Sequence, residues 1–264
     1  MMTETMPIHT GAGASPVRRL VMFWTTAGAL AAIAVLPYAI ALNPALLERV
    51  GMPIPLLVFA QFAKAFVQLA LLSWAGLRLG QAIGLGSPLA QALAYRKPAF
   101  SLPGTTLALA AVAGAVMGAL LPMLDRLFLP FMPGAAPSAP TAIDLWKRVL
   151  ASFYGGITEE LICRLFLMTL IVWICWKFAS HKGAPPRAWM IWSGIVGASL
   201  VFGIGHLPAA SGVWPLTAAV IARTLVLNGL GGIAFGWLYW RRGLEHAVLA
   251  HFAADIVVHV IGGS

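Results

Sequence analysis

Uninterrupted apolar segments of about 20 residues recur along this chain, and they limit its fold more than any other feature. A helix of that length crosses the roughly 30 Å hydrocarbon core of a bilayer at about 1.5 Å per residue. The segments lack the alternation of barrel strands, and unpaired backbone amides are costly in lipid, so helices are expected. The chain is 60% hydrophobic and only 9% charged, which excludes a soluble globule with a polar surface. We therefore predict an all-α, polytopic membrane helical bundle.

The apolar segments predict seven transmembrane helices, or eight if residues 80–100 contain another. The spans cover about residues 20–42, 54–77, 105–124, 142–178, 188–204, 213–240 and 244–261. The first apolar run is longer than the ~7–15 residues of a signal-peptide core, which favours a span over a cleaved signal.

Proline-rich sequence separates two parts of the chain. Residues 1–19 form a polar N-terminal tail and residues 20–141 contain the variable N-terminal transmembrane helices. Residues 142–264 contain the polar residues that carry chemical information. The boundary between the last two parts follows Pro130, Pro133, Pro137 and Pro140, which interrupt any helix.

The formal net charge of +9 comes mostly from Lys and Arg in short loops, so membrane topology explains it better than nucleic-acid binding. A cytoplasmic N-terminus agrees with the positive-inside rule and, with seven spans, leaves the C-terminus outside. This topology and the small loops favour a bacterial inner membrane. The inner loops would carry Arg18, Arg19, Arg78, Arg96, Lys97, Lys177, Lys182, Arg187, Arg241 and Arg242, and the outer loops Arg49, Arg126, Lys147 and Arg148.

Three charged residues lie within the fourth predicted span: Glu159, Glu160 and Arg164. Each costs roughly 2.5–3.5 kcal/mol at the centre of a membrane helix, so their presence indicates a function or a specific partner. Glu160 and Arg164 are four residues apart, which predicts an ion pair on one helical face. Glu159 is rotated by about 100° from Glu160 and is left free to face another element.

Two further pairs of polar or aromatic residues occur one helical turn apart. Phe202 and His206 end the fifth span, and His251 and Asp255 lie in the seventh. Polar groups at membrane depth face the bundle interior, so we expect the three spans to converge on one pocket. The depths of these residues overlap only loosely, which requires either helix tilt or an early end to the fifth helix.

At these residues the chain resembles the CPBP, or Abi, family of intramembrane proteases, which includes CAAX prenyl endopeptidases and bacteriocin-processing proteins. The family pattern is EExxxR, then FxxxH, then HxxxN or HxxxD. The chain has this pattern in order, in Glu159–Arg164, Phe202–His206 and His251–Asp255. The resemblance covers about residues 142–260, and it makes 142–264 a CPBP-type catalytic domain.

The resemblance implies that the chain is an endopeptidase acting on a peptide or protein substrate near or within the bilayer. Glu159 would be the general base that activates water, and His206 would orient or activate that water. His251 with Asp255 would stabilise the oxyanion. Asp255 stands where many members have Asn, and a carboxylate cannot donate a hydrogen bond, so we expect it to orient His251 or bind a cation.

The remaining motif residues are expected to position the reacting groups. Glu160 and Arg164 would hold the helix and tune Glu159, with Phe202 as a further structural residue. A divalent metal such as Zn would use Glu159, His206 and His251, although the chain has no HExxH sequence. The resemblance also allows a metal-free mechanism, which we favour.

Several other residues leave alternatives open. A catalytically silent immunity or scaffold protein is the main alternative, and Lys64, Arg223 and Asp255 at membrane depth suggest a transporter. Nothing in the sequence indicates whether a substrate is prenylated. We expect the face formed by Gln61, Lys64 and Gln68 to look into the bundle, His246 to be interfacial, and Cys163 and Cys175 to be packing residues.

Overall fold

The structure, a computed structural model, describes residues 17–95, 102–134, 143–179 and 184–261. Every regular element within these ranges is helical, as predicted. The α-helices are α1 (Arg18–Ala34), α2 (Leu36–Leu42), α3 (Ala45–Val50), α4 (Ile54–Ile83), α5 (Pro88–Ala94), α6 (Gly104–Asp125), α7 (Leu145–Phe153), α8 (Thr169–Ala179), α9 (Ala188–Gly205), α10 (Leu207–Ser211), α11 (Ala218–Arg242) and α12 (Leu244–Asp255).

Three π-helical segments and one short 3₁₀ turn complete the described elements. The π-helical segments are Tyr154–Glu159, Leu161–Met168 and Ile256–Ile261, and the 3₁₀ turn is Leu129–Phe131. The first two π-helical segments join α7 to α8 in one continuous helical rod.

Six helical segments of the described chain are long and apolar enough to cross a membrane, which supports an integral membrane protein. They are Arg18–Leu42, Ile54–Ile83, Gly104–Asp125, Leu145–Ala179, Ala188–Ser211 and Ala218–Arg242.

The predicted seventh span, residues 244–261, is helical but is not among these six segments. The exact count of seven or eight is not confirmed. Residues 80–95 contain the short α5 rather than an eighth span.

Some predicted features fall outside the described residues. They are the tail through residue 16, Arg96, Lys97, Pro137, Pro140, Ala142, His181 and Lys182.

Close helix packing depends on residues without a Cβ atom. A Cβ at Gly114 in α6 would lie 2.6 Å from the Ala250 carbonyl carbon in α12. A Cβ at Gly232 in α11 would lie 2.7 Å from Ser199 Oγ in α9. Such distances are below van der Waals contact, so glycine brings these backbones together. Gly232 is therefore a packing residue within the chain.

A salt bridge accounts for one of the two isolated cations that suggested a transporter. Arg223 in α11 donates from Nη2 to Asp125 Oδ2 of α6 at 2.7 Å, and its guanidinium lies 4.8 Å from the Trp214 ring centroid. The geometry is bidentate, which is the strong form of this interaction. Arg223 therefore links two spans.

Two predictions about burial are wrong. His246 is 3% exposed and its Nε2 lies 2.9 Å from Thr106 Oγ1, so it packs between α12 and α6 rather than at a lipid interface. Lys64 and Gln68 are exposed, and they border a cavity that opens to the outside of the bundle. The third residue of this α4 face, Gln61, is half-buried, and its Nε2 lies 3.5 Å from the Ala32 carbonyl oxygen of α1. The face therefore lines a partly open cavity between α4, α1 and the rod rather than the packed interior. Cys163 is buried and Cys175 half-buried, and both are free thiols.

Candidate active site

The helical rod that carries both glutamates is π-helical from Tyr154 to Glu159 and again from Leu161 to Met168, where we expected an α-helix. π-Helical hydrogen bonds run from i to i+5, and short stretches of them are frequent at functional sites. The rod packs against α1, α4, α9 and α12. It therefore presents different side chains to several neighbouring helices.

The predicted ion pair between Glu160 and Arg164 is present. Arg164 Nη1 lies 2.9 Å from Glu160 Oε1, and the two side chains are 1% and 0% exposed. Arg164 also donates from Nη2 to the Gly232 carbonyl at 3.2 Å. Its guanidinium lies 4.9 and 5.6 Å from the ring centroids of Phe202 and Phe235. The buried charge is thus compensated by a carboxylate, a carbonyl and two aromatic faces.

Glu160 also holds the imidazole of His251. His251 Nδ1 lies 2.8 Å from Glu160 Oε1. An ionised carboxylate only accepts hydrogen bonds, so Nδ1 carries the proton and donates. We expected Asp255 to orient this imidazole, but Asp255 Oδ1 is 3.7 Å from Nε2, beyond hydrogen-bond distance. Glu160 makes the orienting contact because it faces the Nδ1 edge of the ring.

His206 lies at a helix break. α9 ends at Gly205 and α10 begins at Leu207, so the chain bends at the imidazole. His206 Nδ1 is 2.8 Å from the Phe202 carbonyl oxygen, which can only accept, so Nδ1 donates. Nε2 is thereby directed away from its own helix. The span continues beyond this break to Ser211.

Glu159 lies between the two imidazoles. Its Oε1 is 3.9 Å from His206 Nε2 and its Oε2 is 3.8 Å from His251 Nε2. Both distances exceed the range of a direct hydrogen bond, which ends near ~3.2 Å. The Glu159 side chain is 19% exposed, in contrast to the fully buried Glu160. The structure thus brings Glu159, His206, His251 and Asp255 together, with the carboxylate of Glu159 loosely held.

Aromatic rings line this group of side chains. Phe202 meets the His206 ring edge to face, with centroids 4.6 Å apart. Phe235 stacks on the His251 ring at 4.5 Å and an interplanar angle of 19°. Sequence analysis identified Phe202 but missed Phe235, whose only signal was its position in the glycine-rich run before the last motif. Both rings restrict imidazole rotation.

Gly155 is a second residue that sequence analysis missed. A Cβ at this position would collide with Asp255 Oδ2 and would lie 3.3 Å from His251 Nε2. The absence of a side chain therefore lets α12 bring its polar residues against the rod that carries Glu159. The signal in the sequence was the Gly-Gly pair preceding the glutamates.

The residues named for a metal lie near one another. His206 Nε2 and His251 Nε2 approach different oxygens of Glu159, at 3.9 and 3.8 Å. Within the described ranges, no group of three or more His, Cys, Asp or Glu side chains meets the spacing of a metal site.

The comparisons with known proteins agree with the motifs. Residues 141–257 match the family model described as type II CAAX prenyl endopeptidase Rce1-like. No curated protein and no solved structure gave a match. The matched range includes every residue of the three motifs, from Glu159 to Asp255. This match supports a domain of the CAAX protease, or CPBP, family over residues 141–257.

Proposed function

We propose that the protein is an intramembrane endopeptidase in which Glu159 activates water for attack on a peptide bond. One observation carries the proposal: the Glu159 carboxylate lies 3.8 and 3.9 Å from two imidazole Nε2 atoms. Membership in a protease family supports a peptide or protein substrate. Catalytic contacts are often long before substrate binds and shorten in the reacting complex.

Glu159 acts as general base in the first step. Its carboxylate takes a proton from water, the water oxygen bonds to the carbonyl carbon, and the carbonyl electron pair moves to oxygen. His206 orients the water, because its Nδ1 is bonded to the Phe202 carbonyl and a neutral ring then has an acceptor at Nε2. The water therefore has acceptors on two sides.

His251 stabilises the oxyanion in this mechanism. In its protonated form it donates from Nε2, while Glu160 holds Nδ1 at 2.8 Å. Asp255, 3.7 Å from the same Nε2, attracts the imidazolium by charge. When the C–N bond breaks, Glu159 passes its proton to the leaving amine, and Glu160 and Arg164 remain paired throughout.

The same proposal covers the setting of the reaction. We infer that residues 142–264 form the catalytic domain and residues 20–141 the variable N-terminal helices, after a tail of residues 1–19. We also infer a cytoplasmic N-terminus in a bacterial inner membrane, from the distribution of loop cations. Labelling of single cysteines with a membrane-impermeant reagent tests the orientation, and labelling of a residue 18 cysteine from outside would contradict it.

The experiment that tests the function is Glu159→Gln. Removing a general base lowers turnover by roughly 10²- to 10⁴-fold. Quantitative proteomics compares peptides released by cells with the wild-type and variant proteins, and the affected peptides are then assayed with purified protein. Asp144→Asn is the matched control, because Asp144 pairs only with Lys147 at the surface and is 61% exposed.

The result also separates the alternatives. Full turnover by Glu159→Gln would overturn the proposed mechanism. A silent immunity or scaffold protein predicts an unchanged phenotype in the variant, with no released peptides in either strain.

A further inference from the structure

A second polar region lies beside the candidate active site, against a neighbouring face of the helical rod. A cavity of about 100 Å³ is bounded by α1, α4 and the rod, with Gln61, Lys64, Gln68, Tyr154 and Thr158 among its lining residues. One water occupies about 30 Å³ of liquid volume, so the space suits a small polar group.

Lys64 is the unusual residue of this cavity. It lies in a 30-residue helix, about 7 Å along the axis from the middle at 1.5 Å per residue. A cation at that depth costs roughly 2.5–3.5 kcal/mol, and such residues normally have a partner. The Lys64 side chain is exposed toward the cavity mouth.

No described carboxylate pairs with Lys64. The acids in or beside the spans already have other contacts. These are Asp125 with Arg223, Asp144 with Lys147, Glu160 with Arg164 and His251, Glu159 and Asp255 with the imidazoles, and Glu245 with Ser87 and the Ala90 amide. The cation therefore needs a partner that this described part of the chain does not supply.

The neighbours of Lys64 favour a carboxylate as that partner. Gln61 and Gln68 flank it on the same face of α4, three and four residues away. Gln61 Nε2 makes only a long contact of 3.5 Å to the Ala32 carbonyl, and an amide nitrogen has two N–H donors. Amide donors beside an ammonium match the acceptors of a carboxylate. A phospholipid phosphate lies outside the hydrocarbon, more than about 15 Å from the bilayer centre, whereas the Lys64 backbone lies about 7 Å from the middle of α4.

The cavity is connected to the reacting group through the rod. Thr158 and Tyr154 line the cavity, and Thr158 immediately precedes Glu159. Thr158 Oγ1 donates to the Gly28 carbonyl at 2.9 Å, which fixes this turn against α1. A group bound at Lys64 therefore lies on the face of the rod adjoining the Glu159 face.

We propose that Gln61, Lys64 and Gln68 form a subsite that binds a carboxylate of the peptide substrate. The subsite rests on the proposed function, because it needs a peptide to be held at Glu159. The carboxylate comes either from a free C-terminus or from an acidic side chain near the cleaved bond.

A binding experiment that needs no turnover tests the subsite. The probes are dansylated pentapeptides Leu-Ala-Xaa-Leu-Leu, in which Xaa is Asp or Asn and the C-terminus is free or amidated. Each is titrated against Glu159→Gln protein in nanodiscs of zwitterionic lipid, with and without Lys64→Met. Lys64→Arg is the conservative variant, and Lys177→Met is the matched control, because Lys177 is an exposed cation at the end of α8.

We expect at least one carboxylate probe to bind about tenfold more tightly than its uncharged counterpart. Lys64→Met should abolish this difference, while Lys64→Arg and Lys177→Met keep it. The free-acid and Asp probes separate the two carboxylate sources. Equal binding of all probes, or an equal loss in Lys177→Met, would overturn the subsite. Neither result would affect the protease proposal, which depends on turnover in the Glu159→Gln comparison.

Discussion

Two adjacent glutamates occupy opposite environments on one helical rod. Glu160 is 0% exposed, and its Oε1 contacts Arg164 at 2.9 Å and His251 at 2.8 Å. Glu159 is 19% exposed, and its nearest imidazole nitrogens are 3.8 and 3.9 Å away. A buried carboxylate with two close partners serves to hold them in place. A carboxylate without close partners has space beside it for a water molecule. The comparison supports the proposal that Glu159, rather than Glu160, is the base.

Arg223 and Lys64, the two cations that suggested a transporter, show a similar contrast. Arg223 is paired bidentately with Asp125, whereas Lys64 has no ion pair within the described residues. Pairing within the chain accounts for the first charge and leaves the second available to a ligand. Within spans, the presence of a partner therefore separates structural charges from candidate functional ones.

The largest effect is expected from removing the charge of Glu160, the tightly paired glutamate. Glu160→Gln leaves the Arg164 charge buried without a counterion, so we expect a loss of about 3–5 kcal/mol in the free energy of unfolding. A thiol-reactive dye measures unfolding in a Cys175→Ser background, because Cys163 is 7% exposed and reacts when the bundle opens.

Glu159→Gln is the control for this measurement, because it changes the adjacent carboxylate in the same way. We expect it to unfold at nearly the wild-type temperature. Equal destabilisation by both variants would contradict the division of roles between the two glutamates.

The next largest effect is expected from displacing the polar residues of α12 relative to Glu159. In Gly155→Ala the new methyl group collides with Asp255 and crowds His251, so α12 shifts relative to Glu159. A displacement of about 1 Å at reacting groups can lower turnover roughly 10²-fold. Steady-state cleavage by purified protein measures this. Gly229→Ala is the control, because no atom lies within 4 Å of its added Cβ, and a similar loss there would contradict the argument.

A smaller effect is expected from loosening the imidazole. Phe235→Leu removes the ring that stacks on His251 at 4.5 Å. Aromatic contacts are worth ~0.5–1.5 kcal/mol, so turnover should fall about two- to tenfold. The loss should appear in kcat, since the imidazole is assigned to the oxyanion. Phe59→Leu, on the 67% exposed Phe59 of α4, should leave kcat unchanged. An effect confined to KM would argue against this role for His251.

The smallest effect is expected from Asp255→Asn. The side chain keeps its size and can donate a hydrogen bond to an oxyanion, while Glu160 still holds His251 at Nδ1. We expect turnover within about threefold of the wild type, which corresponds to a difference near ~0.6 kcal/mol. A complete loss of cleavage in a folded Asp255→Asn protein would show that its negative charge is essential.

The membrane class and one contact could be predicted from local sequence. The length of an apolar run determines whether a helix can cross a bilayer, and the prediction of an integral membrane protein followed from that property. The pairing of Glu160 with Arg164 followed from their spacing in the same way. The three motifs also indicated the family whose model matches residues 141–257, because the order and spacing of motifs can be read directly from the sequence.

Contacts between helices could not be predicted in the same way. Phe235 and Gly155 reach His251 and Asp255 only because α11 and α12 pack against the rod. The burial of His246 and the exposure of Lys64 depend likewise on which helix covers each face.

Sequence alone therefore determined the helical membrane class, the ion pair within the rod and the candidate reacting residues. These properties depend on residue type and on spacing along a single helix. Tertiary structure alone decided which carboxylate holds His251, how far Glu159 stands from the imidazoles, and that Arg223, unlike Lys64, has an ion pair within the described residues. Those distances join residues far apart in the chain, so they depend on how the helices pack.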